Sequence, residues 1–345
     1  MTMKVGLIDA DMMWQKHANG RRYGKTKADI FPNLCLMKLS AFHKAKGDQV
    51  EFYHPFDGWY DRVYVSKVFS STPIDRQMIN TSEIIYGGSG FHIQLMPDGK
   101  EHYYSWPGNI GYTYTKTSRS THLAPEIEHI MPDYSLYPTF RDTAIGFLTR
   151  GCPRGCSFCH VAAKEGRRAY KVAELSEWWS GQKNITLCDP NILACKDWKE
   201  LLQQLIDSKA RVDFNQGLDA RLLTPEKVQM LNSIKLNAIH FVWDDYKQKD
   251  SVLKGLQCFV DNFGRELEKS HFAQVFVLTN FNTTLEQDLE RIYTLRDMCL
   301  EPYVMVYDKP HAAPVYKSLQ RWVNMRAIFH KVPTFEEYSK IKAKE

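Results

Sequence analysis

A chain of 345 residues with 43% apolar content is long enough for two cored domains, or for one domain with a large extension. Its 45 basic and 40 acidic residues leave a net charge of +5, so bulk charge does not indicate a nucleic-acid binder, although local basic patches remain open. No run approaches the roughly 20 apolar residues of a membrane span, and the first ten residues, interrupted by Lys4 and Asp9, are not patterned as a secretory signal. The expected compartment is the cytoplasm, where eight cysteines stay reduced as ligands or small packing groups.

In chain order, residues 4–8 read as a strand and 32–46 as a helix, with Pro32 in its first turn and Gly47 at its end. Residues 50–53, 62–69 and 83–86 read as further strands, the last running into Gly87-Gly88-Ser89-Gly90. Strands spaced by helical or loop segments predict a small doubly wound sheet, which binds ligands at its carboxyl edge. Residues 92–122 are polar and rich in aromatics (Tyr103, Tyr104, Trp106, Tyr112, Tyr114), and Pro97-Asp98-Gly99 marks a turn, so a hairpin insertion is expected there. It serves either as a substrate platform or as an ordinary surface hairpin. A proline-rich connection at 125–141 places the domain boundary near 140.

Beyond it, apolar strands are expected at 145–149, 185–188, 211–215, 238–243, 274–279 and 303–307, recurring at the interval of βα units. The helical faces between them are Trp198, Leu201, Leu202, Leu205 and Ile206; then Val252, Leu256, Phe259, Val260 and Phe263; then Leu285, Leu289, Ile292 and Leu295. The tail shows helical spacing at Val315, Leu319 and Trp322, a strand signal at 327–329, and a frayed, solvated end over 341–345. Lys164, Arg167, Arg168 and Lys171 make a modest basic patch, read either as a phosphate contact or as a solvated face.

The first of these strands empties into Cys152-Pro153-Arg154-Gly155-Cys156-Ser157-Phe158-Cys159, where Gly151, Pro153 and Gly155 suit a compact turn. Three thiolates are one short of a closed four-ligand site, and a four-iron cluster so held leaves one iron open. His160 as a fourth ligand would instead complete a Cys3His zinc site. Cys35, Cys188, Cys195, Cys258 and Cys299 suit no second cluster and read as packing residues.

The Cys-x3-Cys-x2-Cys spacing of Cys152, Cys156 and Cys159, with Phe158 before the third, resembles the radical S-adenosylmethionine (SAM) superfamily. The resemblance implies a [4Fe-4S] cluster on the three cysteines and SAM chelated to the open iron by its amino and carboxylate groups. It further implies reductive cleavage of SAM to a 5′-deoxyadenosyl radical acting on an unidentified organic substrate, with a reducing partner such as flavodoxin or ferredoxin. The six βα units resemble that family's partial (β/α)6 barrel, expected over 141–311 with a C-terminal extension at 312–345. Active groups then belong at the carboxyl ends of the strands.

By position in that barrel, Asp189 falls where the family accepts from the SAM amino group, although the usual glycines are missing, and Asn191 follows it. Gln216, Asp219 and Arg221 come after the third strand, where Arg221 either forks onto the SAM carboxylate or pairs with Asp219. Asp244 and Asp245 fall at the ribose position, Asn280 and Asn282 at the adenine position, and Tyr307, Asp308 and Lys309 toward the substrate.

Residues 1–140 resemble the Rossmann-like, cobalamin-binding-like domain of one branch of the superfamily, with Gly87 and Gly88 where backbone approaches the corrin or its nucleotide tail. The stretch from Gln15 to Gly20 is similar to that branch's histidine signature, but Gln15 replaces the carboxylate that should support His17. Cobalamin, if bound, is therefore expected without a histidine on cobalt. The single cysteine before the motif, Cys35, disfavours methylthiotransferase chemistry, and the lack of cysteines after Cys299 disfavours auxiliary clusters. The readings that stay open are a radical SAM enzyme, a cobalamin-dependent radical SAM methyltransferase, and a non-catalytic iron-sulfur or zinc protein.

Overall fold

The computed structural model describes residues 2–12, 31–70, 72–74, 79–95, 101–103, 116–120, 123–264, 267 and 272–342. It is a mixed α/β structure with parallel sheets, divided into two compact units. The first comprises Met1–Gly146, Arg154–Arg167 and Ala173–Ile185; the second comprises Phe147–Pro153, Arg168–Val172 and Thr186–Glu345.

The first unit is built on β1 (Lys4–Asp9), α1 (Leu34–Ala45), β2 (Gln49–Phe52), β3 (Arg62–Ser66) and β4 (Glu83–Gly87). A short pair, β5 (Ile93–Leu95) and β6 (Glu101–Tyr103), precedes β7 (Lys116–Ser120). The main sheet is parallel throughout, in the order β2-β1-β3-β4-β7. With its five strands numbered consecutively this is the order 2-1-3-4-5, one of the two common doubly wound arrangements, whose direction reverses between β1 and β3.

Side chains alternate across that sheet as the pleat requires. Val5, Leu7 and Tyr64 pack with Leu36 and Leu39 of α1, while Ile8, Val63, Val65, Ile84 and Tyr86 pack with Tyr53 and Tyr60 on the other face. Gly6 makes room for the buried Tyr60 ring, since a Cβ there would lie 3.0 Å from it. The N-cap of α1 is Asn33, whose side chain accepts from Leu36 N at 3.2 Å; Pro32, expected in the first turn, lies ahead of the cap.

β5 and β6 are antiparallel, pairing Ile93 with Tyr103, as the hairpin reading anticipated. The turn at Pro97–Gly99, the aromatics Tyr104, Trp106, Tyr112 and Tyr114, and His17 with its surrounding loop lie outside the described residues. β7 was not anticipated, because Lys-Thr-Ser-Arg-Ser carries no apolar alternation. The unit ends with β8 (Thr143–Gly146), where Asn184 N donates to Asp142 O at 3.0 Å and Trp178 packs so closely on Gly146 that a Cβ would lie 2.3 Å from its ring.

The second unit opens with the antiparallel pair β9 (Thr149–Arg150) and β10 (Tyr170–Lys171). It then takes up the end of β11 (Asn184–Leu187), followed by α2 (Trp198–Ser208), β12 (Arg211–Phe214), α3 (Pro225–Ser233), β13 (Ile239–Val242) and α4 (Lys249–Asn262). β14 (Ala273–Thr279), α5 (Leu285–Asp297) and β15 (Glu301–Val306) complete the alternation. Asn215 N donates to Leu187 O, β12 meets β13 through parallel bridges, and β13, β14 and β15 form a parallel sheet, so neighbours follow chain order.

Local chemistry explains the helix starts. Thr224 caps α3 ahead of Pro225, and Thr284 and Gln287 form a reciprocal capping box at α5. The C-terminal segment carries α6 (Pro314–Asn324), α7 (Arg326–Phe329) and α8 (Phe335–Lys342). Residues 327–329 are therefore helical, correcting the strand reading: Phe329 is an apolar contact of a helical turn in one cluster with Trp322, Phe335 and Tyr338. The last helix also runs through Lys342, further than the frayed end that was expected.

Candidate functional site

In the second unit, polar side chains collect at the carboxyl ends of the parallel strands, where strand-to-helix connections leave backbone and side chains open to a ligand. Asp189 and Asn191 follow β11, Asp219 and Arg221 follow β12, and Asp244 follows β13.

Asp189 is buried and fully engaged. Its carboxylate accepts from Leu148 N at 2.9 Å, Thr149 N at 2.6 Å and Thr149 Oγ1 at 2.5 Å, tying the loop after β11 to the entry of β9. Burial pushes its carboxyl up to about 7, against the lowering effect of those donors.

Asn191, also buried, spans two groups. Its Nδ2 donates to Cys152 Sγ at 3.6 Å and to Asp219 Oδ2 at 3.3 Å, while its Oδ1 has no partner. Asp219 holds Arg221 in a two-point contact, Nε to Oδ1 at 2.6 Å and Nη2 to Oδ2 at 3.1 Å, and caps the turn Ala220–Leu222. Of the two roles open to Arg221 from sequence, the ion pair with Asp219 is the one this geometry displays.

Asp244 is half-buried, and its Oδ1 has no hydrogen-bond partner. Burial raises its carboxyl to about 6, with Arg291 and Arg221 pulling it down. Arg291 is fully buried and clamps the strand ends from beneath: Nη1 donates to Trp243 O at 2.5 Å, and Nη2 donates to Leu278 O at 2.7 Å and Asp288 Oδ1 at 2.5 Å. Sequence reasoning passed over Arg291 because it sits among the apolar positions of α5; a charged residue on an apolar stripe was the available signal.

The remaining strand-end residues are more dispersed. Gln216 is exposed in the turn after β12, and Asp245 caps a turn by accepting from Lys247 N at 3.0 Å. Asn280 and Asn282 take left-handed backbone (φ 60° and 52°), and Asn280 Nδ2 donates to Tyr307 O at 2.9 Å. Asp308 accepts from His311 Nδ1 at 2.8 Å, and Lys309 is exposed.

The cysteine loop crosses the division between the units. Cys152 belongs to the second unit, where it receives Asn191, whereas Cys156, Phe158 and Cys159 belong to the first. Cys152, Cys156 and Phe158 are half-buried and Cys159 is exposed. Cys159 N donates to Cys156 O at 3.0 Å, and Gly155 (φ 60°) accepts the Arg167 guanidinium where a side chain would collide with it. Among the described residues, no three His, Cys, Asp or Glu side chains are gathered as metal-ion ligands. The basic patch is divided by its contacts: Lys164 donates to Ser89 Oγ at 2.6 Å in the first unit, and Lys171 pairs with Glu200 at 2.7 Å in the second.

In the first unit, the glycine pair at the end of β4 has an internal role. A Cβ on Gly88 (φ 97°) would stand 2.3 Å from Lys67 O, and Lys67 N donates to Gly87 O at 3.0 Å. The close approach that Gly88 permits is thus made by the chain's own loop after β3. That loop is held in turn by Asp11, which accepts from Val68 N at 2.6 Å and Thr72 Oγ1 at 2.5 Å.

Comparison with models of known protein families and with curated proteins returns no match for this chain.

Proposed function

We propose that the chain is a radical SAM enzyme in which Cys152, Cys156 and Cys159 hold a [4Fe-4S] cluster. The observation that carries the proposal is the three-cysteine loop leading into an ordered run of βα units whose carboxyl ends bear the polar residues. The donor set suits the cluster: three thiols in eight residues, with Gly151 and Gly155 both at positive φ, and an Asn191 N–H on Cys152 sulfur. When bound, the cluster supplies one electron for cleavage of SAM, giving the radical that acts on the organic substrate.

The chain's own residues then have distinct tasks. Asn191 orients Cys152 and lowers the electron density on its sulfur. Asn191 Oδ1 and Asp244 Oδ1 are the unpartnered acceptors suited to an ammonium or hydroxyl group of SAM, whereas Asp189 and Arg221 act on the protein itself. In this reading Asp189 keeps the loop entry in register, and the Asp219–Arg221 pair holds Asn191 in place. Cobalamin is not included, since Gly88 is packed against Lys67.

The test is reconstitution without oxygen. The wild-type chain is expected to take up about four iron atoms and four sulfides and, with SAM and dithionite, to release 5′-deoxyadenosine. The variant with all three cysteines replaced by alanine should do neither. Uptake of zinc in place of iron and sulfide would overturn the proposal.

A further inference from the structure

Lys227 occupies a position where lysine is rare. It lies in the first turn of α3, beside the buried Val228, and is only 9% exposed. Burial pulls its ammonium below the ordinary lysine range, against Asp219 and Glu226, so the charge is held at a cost that its contacts must offset. Its Nζ donates to Leu193 O at 2.9 Å and to Leu222 O at 3.1 Å, and stands 4.9 Å from the centre of the Trp198 ring. Two carbonyls and an aromatic face match the three N–H groups of the ammonium.

The two carbonyls belong to different strand ends. Leu193 lies in the turn Ile192–Ala194, which Asn191 opens, its backbone O accepting from Ala194 N at 3.2 Å. Leu222 closes the turn Ala220–Leu222, which Asp219 opens, its backbone O accepting from Leu222 N at 3.0 Å. At their starts the same two turns meet through Asn191 Nδ2 and Asp219 Oδ2, 3.3 Å apart, and Asn191 Nδ2 also reaches Cys152 Sγ at 3.6 Å. Lys227 therefore closes a ring of contacts: it joins the turns at one end, and Asn191 joins them at the other. A shift of either turn moves the amide off the sulfur.

We propose that Lys227 is a positioning residue for the cluster: it fastens the turns after β11 and β12 to each other and thereby keeps the Asn191 amide on the Cys152 sulfur. The inference rests on the reading of Cys152, Cys156 and Cys159 as cluster ligands. A hydrogen bond to a ligating sulfur favours the reduced cluster, which carries the additional negative charge. The lysine thus acts on the reduction potential, and it does so through Asn191.

The test is a double-mutant cycle read as a potential. The full-length wild type, Asn191→Ala, Lys227→Met and the double variant are reconstituted without oxygen, and the reduced cluster is followed by EPR through a potential titration without SAM. Asn191→Ala should lower the potential by about 59 mV, a tenfold fall in the one-electron reduction equilibrium. Lys227→Met should lower it by the equivalent of about threefold or more, and should add nothing once residue 191 is alanine. If Lys227→Met does not fold, Lys227→Gln, one bond shorter than lysine and uncharged, takes its place in the cycle. An unchanged potential in Asn191→Ala or in the lysine variant, or a lysine effect that adds in full to that of Asn191→Ala, would overturn the inference while leaving the cluster reading intact. Failure of both lysine variants to fold would make the role structural and overturn it likewise. A wild type that takes up no iron and sulfide would overturn the cluster reading itself, and the inference with it.

Discussion

At the scale of residues, the strand-end groups separate into those that complete the protein and those left with unused capacity. Asp189 shows the first kind: three donors converge on a carboxyl that burial raises to about 7. Its folded-state pKa lies above the ordinary 3.8, so the folded chain holds this proton more tightly than the unfolded chain does. The contribution to stability is fully present below about pH 4 and is lost as pH rises through about 7. Asp189→Asn removes that titration. Urea unfolding of the two proteins across pH 4 to 8 should therefore show the wild type losing a few kcal/mol relative to the variant as pH rises. Parallel curves would show that the carboxyl does not titrate in this window. An acidic residue at a strand end is a signal shared by a ligand and by a bracket for the neighbouring loop, and the hydrogen bonds Asp189 makes within the chain are those of a bracket.

At the scale of elements, periodicity located three long helices of the second unit, α2, α4 and α5, and its strands to within a few residues, because their apolar faces are continuous. It missed α3, which buries only Lys227, Val228 and Leu231 in nine residues, and β7, which has no apolar alternation. It also could not show how closely α4 lies against the turn after β12. Gly255 sits there on the buried face of α4, and a Cβ would come within 1.9 Å of Ala220 O. The contact is with backbone, so the helix itself must shift to admit a methyl group. Gly255→Ala should destabilise the protein by roughly 1–3 kcal/mol despite alanine's better helix propensity. A urea midpoint equal to or above that of the wild type would show that α4 is free to move outward. The same shift would disturb Ala220 and, through it, the Asp219–Arg221 pair that supports Asn191.

At the scale of the molecule, the C-terminal segment is part of the second unit's core. Trp322 is fully buried and packs edge-on to Phe329 at 5.0 Å and to Tyr293 of α5 at 6.0 Å, with Nε1 donating to Val332 O at 3.0 Å. Leu319, Val323, Phe335 and Tyr338 join Ile292 and Val304 in the same cluster. Trp322→Ala should cost about 3–5 kcal/mol, read as a lowered denaturation midpoint, and would strip the cover from β15. A midpoint close to that of the wild type would show that this segment only appends to the unit.

Sequence alone determined the features whose physics is local. Short continuous apolar runs place β1, β3 and β4, helical spacing places α2, α4 and α5, and the run from Cys152 to Cys159 brings three thiols into one loop whatever surrounds it. Tertiary structure decided what depends on partners distant in the chain: the Asp189 carboxylate closing on Leu148 and Thr149, Arg221 turning to Asp219, Gly88 yielding to Lys67, and Arg291 buried beneath two strand ends. The approach of Asp213 to His240 belongs to the same class, for it requires two neighbouring parallel strands in one register. A polar side chain's role is set by which donors and acceptors reach it once the chain has folded, and no pattern of neighbours in sequence carries that information.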